Sequence, residues 1–159
     1  MSDPLRIGVA GLGTVGVGTV KLLRQNKTIL SERCGREIII TAVSARDPAK
    51  DRGISLSDCT WHSDAATLAT DENIDVVVEL IGGSDGIAKD LVEAALANGK
   101  HVVTANKALV AHHGDALAVA AENARLVLAY EAAVAGGIPI IKALREGLSA
   151  NAIDRVYGI

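Results

Sequence analysis

The chain has 159 residues, of which 49% are hydrophobic and 22% charged, and this composition excludes a disordered protein. Its 16 basic and 19 acidic residues give a net charge of −3, and only 2% of the residues are aromatic, so nucleic acid is not an expected partner. No uncharged apolar run reaches the roughly 18 residues of a membrane span, and the first residues lack the profile of a signal peptide, so we expect a cytoplasmic protein without a membrane partner.

Short apolar runs alternate with longer helical patterns along the first 130 residues. The runs that predict strands cover residues 5–10, 38–43, 74–81, 101–104 and 125–129. The patterns that predict helices cover residues 14 to about 30, 65–70, 85–98 and 115–123. Strands separated by helices of this length require crossover connections, and continuously apolar strands are buried on both faces. The predicted fold class is therefore α/β, with a doubly wound parallel sheet.

The pattern changes after residue 130. Residues 132–138 are small and rich in glycine, residues 139–148 predict a helix opened by Pro139, and residues 152–157 predict another strand. The chain then ends at Ile159 without a helix cap or a polar tail. We therefore predict one domain over residues 1–150 and the start of a second domain over residues 151–159.

A glycine-rich turn connects the first predicted strand to the first predicted helix. Its GxGxxG motif consists of residues Gly11, Leu12, Gly13, Thr14, Val15 and Gly16. In this position the first glycine permits a tight turn, the second lets a pyrophosphate approach the backbone, and the third lets the helix pack closely on the strand. Free N–H groups at the helix start would hold the anion. This context favours a Rossmann-type dinucleotide-binding domain over a packing turn without a ligand, and a packing role is expected for Gly18.

The residues after the second predicted strand distinguish between NAD and NADP. An acidic side chain there binds the ribose hydroxyls of NAD, whereas an arginine pairs with the 2′-phosphate of NADP. Arg46 and Lys50 favour NADP because a guanidinium binds phosphate through two hydrogen bonds and the lysine adds charge. Asp47 keeps NAD as the alternative, and a solvated turn is the other interpretation. We attribute the long spacing between Gly16 and Arg46 to an insertion at residues 31–37.

Two further turns follow predicted strands at the edge where this fold binds ligands. Gly82 and Gly83 follow the third strand and would let the backbone approach the cofactor, although a flexible turn explains them equally well. Lys107 follows the fourth strand, where its ammonium could bond a substrate oxygen or polarise a carbonyl. By composition alone, Lys107 is a surface lysine.

Three segments together resemble homoserine dehydrogenase. They are residues 6–10 leading into the glycine turn, residues 104–109 (Thr-Ala-Asn-Lys-Ala-Leu) and residues 130–141. The resemblance spans essentially the whole chain, and its last two segments are more specific than the glycine motif. It implies an NAD(P)-dependent oxidoreductase that interconverts L-homoserine and L-aspartate 4-semialdehyde, on the route to threonine, isoleucine and methionine. A small-molecule substrate and a homo-oligomeric full-length enzyme are implied as well.

The resemblance also implies roles for individual residues. Lys107 matches the family lysine that lies beside the nicotinamide and the substrate, so it is the expected catalytic residue and a cofactor contact. The segment from Glu131 resembles the family's loop for a monovalent cation such as sodium. The metal ligands implied there are Glu131, Val134, Gly136 and Ile138, whose oxygens suit such an ion. Small residues that allow close packing before Pro139 are the alternative.

The family pattern is incomplete in this chain. The family continues into a substrate and dimerisation domain with a second catalytic lysine, and residues 151–159 would be its first residues. Residues 1–150 are then the NAD(P)-binding domain, and the chain alone is expected to bind nucleotide but to be inactive. The alternatives are another amino-acid-pathway NAD(P) dehydrogenase and a non-catalytic dinucleotide-sensing domain.

Overall fold

Six parallel strands form one sheet in the computed structural model, which describes residues 3–158. The strands are β1 (Leu5–Ala10), β2 (Ile38–Ser44), β3 (Thr60–His62), β4 (Val76–Glu79), β5 (His101–Thr104) and β6 (Leu128–Ala129). Their spatial order is β3-β2-β1-β4-β5-β6, and every neighbouring pair is parallel. The chain therefore adds strands on one side of β1 and then on the other, which opens a crevice at the carboxyl ends of β1 and β4. The predicted α/β fold class is confirmed.

Helices connect the strands. The α-helices are α1 (Thr14–Gln25), α2 (Lys27–Cys34), α3 (Ile87–Ala97), α4 (Lys107–Asn123) and α5 (Ile140–Lys142). Short 3-10 helices cover Ala65–Ala69, Glu131–Ala133 and Ala135–Gly137, and a π-helical turn at Ala143–Gly147 continues α5. None of the helices within residues 3–158 is both long and apolar enough to cross a membrane.

The core lies on both faces of the sheet, as its apolar strands predict. On β4, Val77 packs on one face with Leu91 of α3 and Leu109 of α4. Its neighbour Val78 packs on the opposite face with Val20 of α1. Successive side chains of a strand point to opposite faces, so a strand covered on both sides must be apolar at every position. Packing on both faces holds the sheet in place, and the carboxyl ends of its strands form the crevice.

The first predicted helix is two helices in the structure. Asn26 separates them with φ −104° and ψ 18°, and its side-chain amide donates to the Leu22 carbonyl at 3.0 Å. The second helix, α2, runs to Cys34, and Gly35 with φ +69° ends it. The segment 31–37, to which we attribute the long spacing before Arg46, therefore begins inside this second helix.

Other predicted elements differ at their ends or in kind. The strand predicted for residues 152–157 is wrong, because these residues are exposed and pair with no described strand. The helix predicted for residues 115–123 begins eight residues earlier, at Lys107, since Asn106 caps it. The three-residue edge strand β3 lacks a sequence signal of ordinary strand length. The helix predicted for residues 139–148 begins at Ile140 and ends with the π-helical turn. The predicted strands 74–81 and 125–129 shorten to β4 and β6, and the predicted helix 85–98 shortens to α3.

Candidate nucleotide-binding site

A cleft of about 740 Å³ opens at the carboxyl ends of β1 and β2. Five predicted cofactor residues line it, namely Gly11, Leu12, Gly13, Arg46 and Lys50. Thr14 and Val15 are exposed at the start of α1, and Gly16 is buried. Gly82, Gly83 and Lys107 follow β4 and β5 at the same edge of the sheet, outside the lining of this cleft. The fold thus gathers the predicted cofactor residues at one edge, as a dinucleotide that extends across both halves of the sheet requires.

The three glycines of the turn have different surroundings. Gly11 has φ +96°, and a Cβ there would lie 2.5 Å from the Leu80 carbonyl oxygen. A Cβ on Gly16 would overlap the carbonyl oxygen of Gly11. In contrast, a Cβ on Gly13 would meet no atom within 4 Å. Gly11 and Gly16 are therefore required by the fold itself, whereas Gly13 leaves an open approach to the backbone.

The packing role predicted for Gly18 is wrong. A Cβ at this exposed position of α1 would also meet no atom within 4 Å. No neighbouring element of the described chain packs closely on Gly18, so a methyl group would fit there.

The start of α1 offers free N–H groups to the cleft. Its N-cap is Gly13, which has no capping side chain, and the first turn contains no acidic residue. The Val17 N–H donates to the Gly13 carbonyl at 2.9 Å, so the N–H groups of Thr14, Val15 and Gly16 have no partner within the helix. These donors and the positive end of the helix dipole suit an anion.

Arg46 and Lys50 are the cations of the cleft that remain available. Both side chains are exposed, and neither forms a hydrogen bond or an ion pair within residues 3–158. The Asp47 carboxylate, by contrast, accepts the Ala49 N–H at 2.9 Å and so is used in a local turn. An incoming phosphate would therefore meet two unpaired cations at this loop.

Arg52 braces the same loop, a role that the sequence did not reveal. Its guanidinium donates to the carbonyls of Asp47 at 2.6 Å, Lys50 at 2.8 Å and Leu12 at 3.3 Å. Its central carbon lies 5.4 Å from the centroid of the Trp61 ring, within cation–π range. Arg52 thus ties the loop after β2 to the glycine turn. The only sequence signal was a third cation within seven residues.

A buried carboxylate lies at the end of β4. Glu79 is fully buried, and its Oε1 accepts the N–H groups of Ile81 at 2.7 Å and Gly82 at 3.3 Å. Its Oε2 accepts the Thr104 hydroxyl at 2.6 Å. Sequence reasoning missed this residue, although a glutamate at the end of a run of valines was a signal for a satisfied buried charge.

Asn106 extends the same network to α4. Its N–H donates to the Thr104 hydroxyl oxygen at 3.0 Å, and its amide nitrogen donates to the Gly83 carbonyl at 2.7 Å. Its Oδ1 accepts the Leu109 N–H at 3.1 Å and so caps α4. Lys107 follows as the first residue of α4, exposed and without a hydrogen bond or ion pair within residues 3–158. The cap therefore places an unpaired ammonium at the carboxyl edge.

The turn between β4 and α3 is tied to α4 as well. Asp85 accepts the Ser84 hydroxyl at 2.6 Å and lies 2.8 Å from Nε2 of His113. The Ser84 hydrogen bond, followed by that of His113, holds the pKa of Asp85 below its ordinary value of 3.8. The turn that contains Gly82 and Gly83 is thus anchored at its far end.

The carboxylate of the predicted cation loop belongs to Glu131, and both of its oxygens accept hydrogen bonds. Oε1 of Glu131 accepts the Ile141 N–H at 2.9 Å, and Oε2 accepts the Lys142 N–H at 2.9 Å. Both oxygens therefore contact the start of α5. Among the predicted carbonyl ligands, Ile138 already accepts the Ile140 N–H at 2.7 Å.

The other two predicted carbonyl ligands lie in the turns before α5. Val134 is extended, with φ −124° and ψ 134°. Gly136 has φ +62°, a conformation that favours glycine. The loop thus places oxygen donors close together along the chain.

Residues 11–131 match the family model described as the homoserine dehydrogenase NAD binding domain. This match includes the glycine turn, the loop after β2 and the start of α4. The chain belongs to this family. The family membership predicted from the three segments is therefore confirmed. The part of the family to which the chain corresponds is its NAD-binding domain.

Known homoserine dehydrogenases share both sequence and fold with the chain. The enzyme of Neisseria gonorrhoeae is 50% identical over 156 residues, and that of Pseudomonas aeruginosa is 48% identical over 156 residues. Each alignment covers 98% of this chain and 35% of the relative. The crystal structure of a homoserine dehydrogenase from Thiobacillus denitrificans gives a TM-score of 0.85 with 48% identity, over 93% of this chain and 34% of that one. The chain thus spans about a third of the length of the relatives it matches.

Proposed function

We propose that the cleft binds NADP in preference to NAD. The observation that supports this preference is the pair of unpartnered cations, Arg46 and Lys50, beside an uncapped helix start. Asp47 is the residue that would favour NAD, and one of its carboxylate oxygens already accepts the Ala49 N–H. A 2′-phosphate would gain charge-assisted hydrogen bonds from the unpaired Arg46, whereas the ribose hydroxyls of NAD would meet an Asp47 carboxylate of which one oxygen is already used.

The proposed cofactor lies across the carboxyl edge of the sheet. Its pyrophosphate contacts the N–H groups of the glycine turn, where Gly13 leaves room for it. The adenosine half lies over β2 and β3, within reach of Arg46 and Lys50. The nicotinamide half lies over β4 and β5, beside Gly82, Gly83 and Lys107. Each half of the sheet then holds one nucleotide, which is the general arrangement of this fold.

We further propose that a full-length protein carrying this sequence interconverts L-homoserine and L-aspartate 4-semialdehyde. Bound NADP would supply hydride transfer. Lys107 would orient the substrate and polarise its carbonyl oxygen, because its ammonium is exposed and unpaired at the start of α4. The principal acid and base lies outside this chain in the proposal, so the chain alone binds nucleotide without turnover. From the family membership we also propose a role in the biosynthesis of threonine, isoleucine and methionine. For the full-length protein we propose a homo-oligomeric assembly and a cytoplasmic location on the same basis.

A sodium site at residues 131–138 is also part of the proposal. The donor set is a carboxylate and backbone carbonyls, which are hard oxygen ligands. Only part of the set fits, since Glu131 and Ile138 already accept N–H groups. The carbonyls of Val134 and Gly136 would therefore hold the ion, while Glu131 organises the start of α5. A rise in melting temperature with NaCl relative to choline chloride would support the site, and loss of that rise in Glu131→Gln would support the organising role of the carboxylate.

Isothermal titration calorimetry of the chain with NADPH and NADH tests the cofactor preference. Arg46→Ala should weaken NADPH binding by about 1.5–3 kcal/mol, roughly ten- to a hundredfold, and should leave NADH binding nearly unchanged. Arg33→Ala is the matched control, because Arg33 is an exposed arginine of α2 outside the cleft. Equal affinities of the wild-type chain for NADPH and NADH would refute the phosphate role of Arg46.

A further inference from the structure

Glu79 is a buried charged residue without a role in the proposed reaction. Its side chain has no exposed surface, so it cannot contact a cofactor or a substrate. Three donors surround its two oxygens, namely the N–H groups of Ile81 and Gly82 and the hydroxyl of Thr104. A carboxylate buried this deeply is tolerated only when such donors replace its water.

Both oxygens of Glu79 accept hydrogen bonds in this network. The Thr104 hydroxyl oxygen accepts the Asn106 N–H at 3.0 Å, and the hydroxyl donates its own proton to Oε2 at 2.6 Å. On the other side, two backbone N–H groups point to Oε1. A carboxylate accepts at both oxygens, whereas an amide of the same shape would turn its NH₂ group toward the Thr104 hydroxyl, which would then have to accept and would lose Oε2 as the acceptor of its own buried proton. The network therefore favours glutamate over glutamine.

This single carboxylate joins the two turns that follow β4 and β5. On the β4 side, its N–H partners begin the turn of Gly82 and Gly83, each with φ +87°. On the β5 side, Thr104 holds Asn106, which donates to the Gly83 carbonyl and caps α4. Both turns lie in the half of the sheet that receives the second nucleotide.

We propose that Glu79 is a positioning residue for the nicotinamide half of the cofactor. It acts through Thr104 and Asn106, which set the turn after β4 and the start of α4 relative to each other. The inference rests on the proposed function, since it requires a dinucleotide across this edge. Arg46 lies on the other side of β1, and neither Thr104 nor Asn106 lines the cleft that contains Arg46 and the glycine turn, so the adenosine half is held independently of this Thr104–Asn106 branch.

Two probes separate the halves of the site in calorimetry. NADPH reaches both halves, whereas 2′,5′-ADP carries the adenosine and the 2′-phosphate but no nicotinamide. Thr104→Val removes the hydroxyl at nearly constant shape and leaves Glu79 its two N–H donors, and Thr104→Ser keeps the hydroxyl as the matched control. We expect Thr104→Val and Glu79→Gln to weaken NADPH roughly tenfold and to leave 2′,5′-ADP unchanged. Thr104→Ser should restore wild-type affinity for NADPH.

Melting curves by circular dichroism establish that each variant is folded. If Glu79→Gln does not fold, Thr104→Val decides. A loss of affinity for both probes alike, or for neither, in folded Thr104→Val would overturn the positioning role. The role is also overturned if the wild-type chain binds NADPH no more tightly than 2′,5′-ADP, although the proposed function then stands. If the wild-type chain binds neither probe, the proposed function fails and the inference fails with it.

Discussion

Replacing Gly16 by alanine tests whether the close contact between α1 and the glycine turn is required for folding. A Cβ at this position would overlap the Gly11 carbonyl oxygen, which is backbone and cannot rotate away. Gly11 cannot shift easily either, because its N–H donates to the Ser44 carbonyl at 2.8 Å and even a Cβ on it would lie 2.5 Å from the Leu80 carbonyl oxygen. Relief of the overlap must therefore move α1 away from the sheet.

The expected loss of stability follows from two opposing effects. Overpacking of this kind costs about 3 kcal/mol at the upper end of its usual range. Alanine in place of glycine in a helix contributes about 1 kcal/mol in the opposite direction. The net loss in the free energy of unfolding is then about 2 kcal/mol. For a domain of this size, that loss lowers the melting temperature by roughly 4–8 °C.

Thermal unfolding followed by circular dichroism measures the effect, with Gly18→Ala as the matched control. Gly18 is in the same helix, but a Cβ there meets no atom within 4 Å. This control should gain up to about 1 kcal/mol from helix propensity, and its melting temperature should rise by roughly 2–4 °C. A melting temperature of Gly16→Ala equal to or above that of the wild-type chain would refute the packing argument.

Three further predictions concern the anion site, the ammonium of α4 and an ion pair at the amino-terminal ends of β1 and β4. The free energy of unfolding of Gly13→Ala should stay within about 1 kcal/mol of the wild-type value, because only the N-cap preference changes. Calorimetry should nevertheless show that NADPH binding is lost, since the methyl group occupies the approach to the backbone. Retained binding would contradict the pyrophosphate placement. Lys107→Ala should strongly reduce homoserine oxidation by the full-length protein while NADPH fluorescence titration shows that the cofactor still binds, and unchanged turnover would eliminate the role of Lys107. The Arg6 guanidinium, 2.6 Å from Asp75, holds the pKa of that carboxyl below its usual 3.8, so the pair stabilises the fold above that pH and the stabilisation is lost as the pH falls through the lowered value. The melting temperature of the wild-type chain should therefore exceed that of Asp75→Asn by a constant margin above about pH 5 and by less below about pH 4, and a margin independent of pH would exclude this linkage.

The sequence predicted the elements whose signals are local. The strand, glycine turn and helix at residues 5–25 follow one another within a single stretch, and β5 begins and ends as predicted. Errors occurred where a local signal was weak or where tertiary contacts were needed. Residues 152–157 have a strand-like pattern but no neighbouring strand among the described residues, so their backbone groups cannot form a ladder. Gly18 looked like its neighbour Gly16, and only the position of the Gly11 carbonyl distinguishes them.

By itself, the sequence determined the alternation of strands and helices, apart from α2, β3 and the segment 152–157, and the edge of the sheet where the predicted cofactor residues meet. Periodicity and turn chemistry act over a few residues, so they can be recognised without knowing the fold. The tertiary structure alone decided which polar groups support that edge. Arg52 braces Leu12 from 40 positions away, and Glu79 bonds Thr104 from 25 positions away. No local pattern predicts such pairs, because they exist only when parallel strands bring distant carboxyl ends side by side.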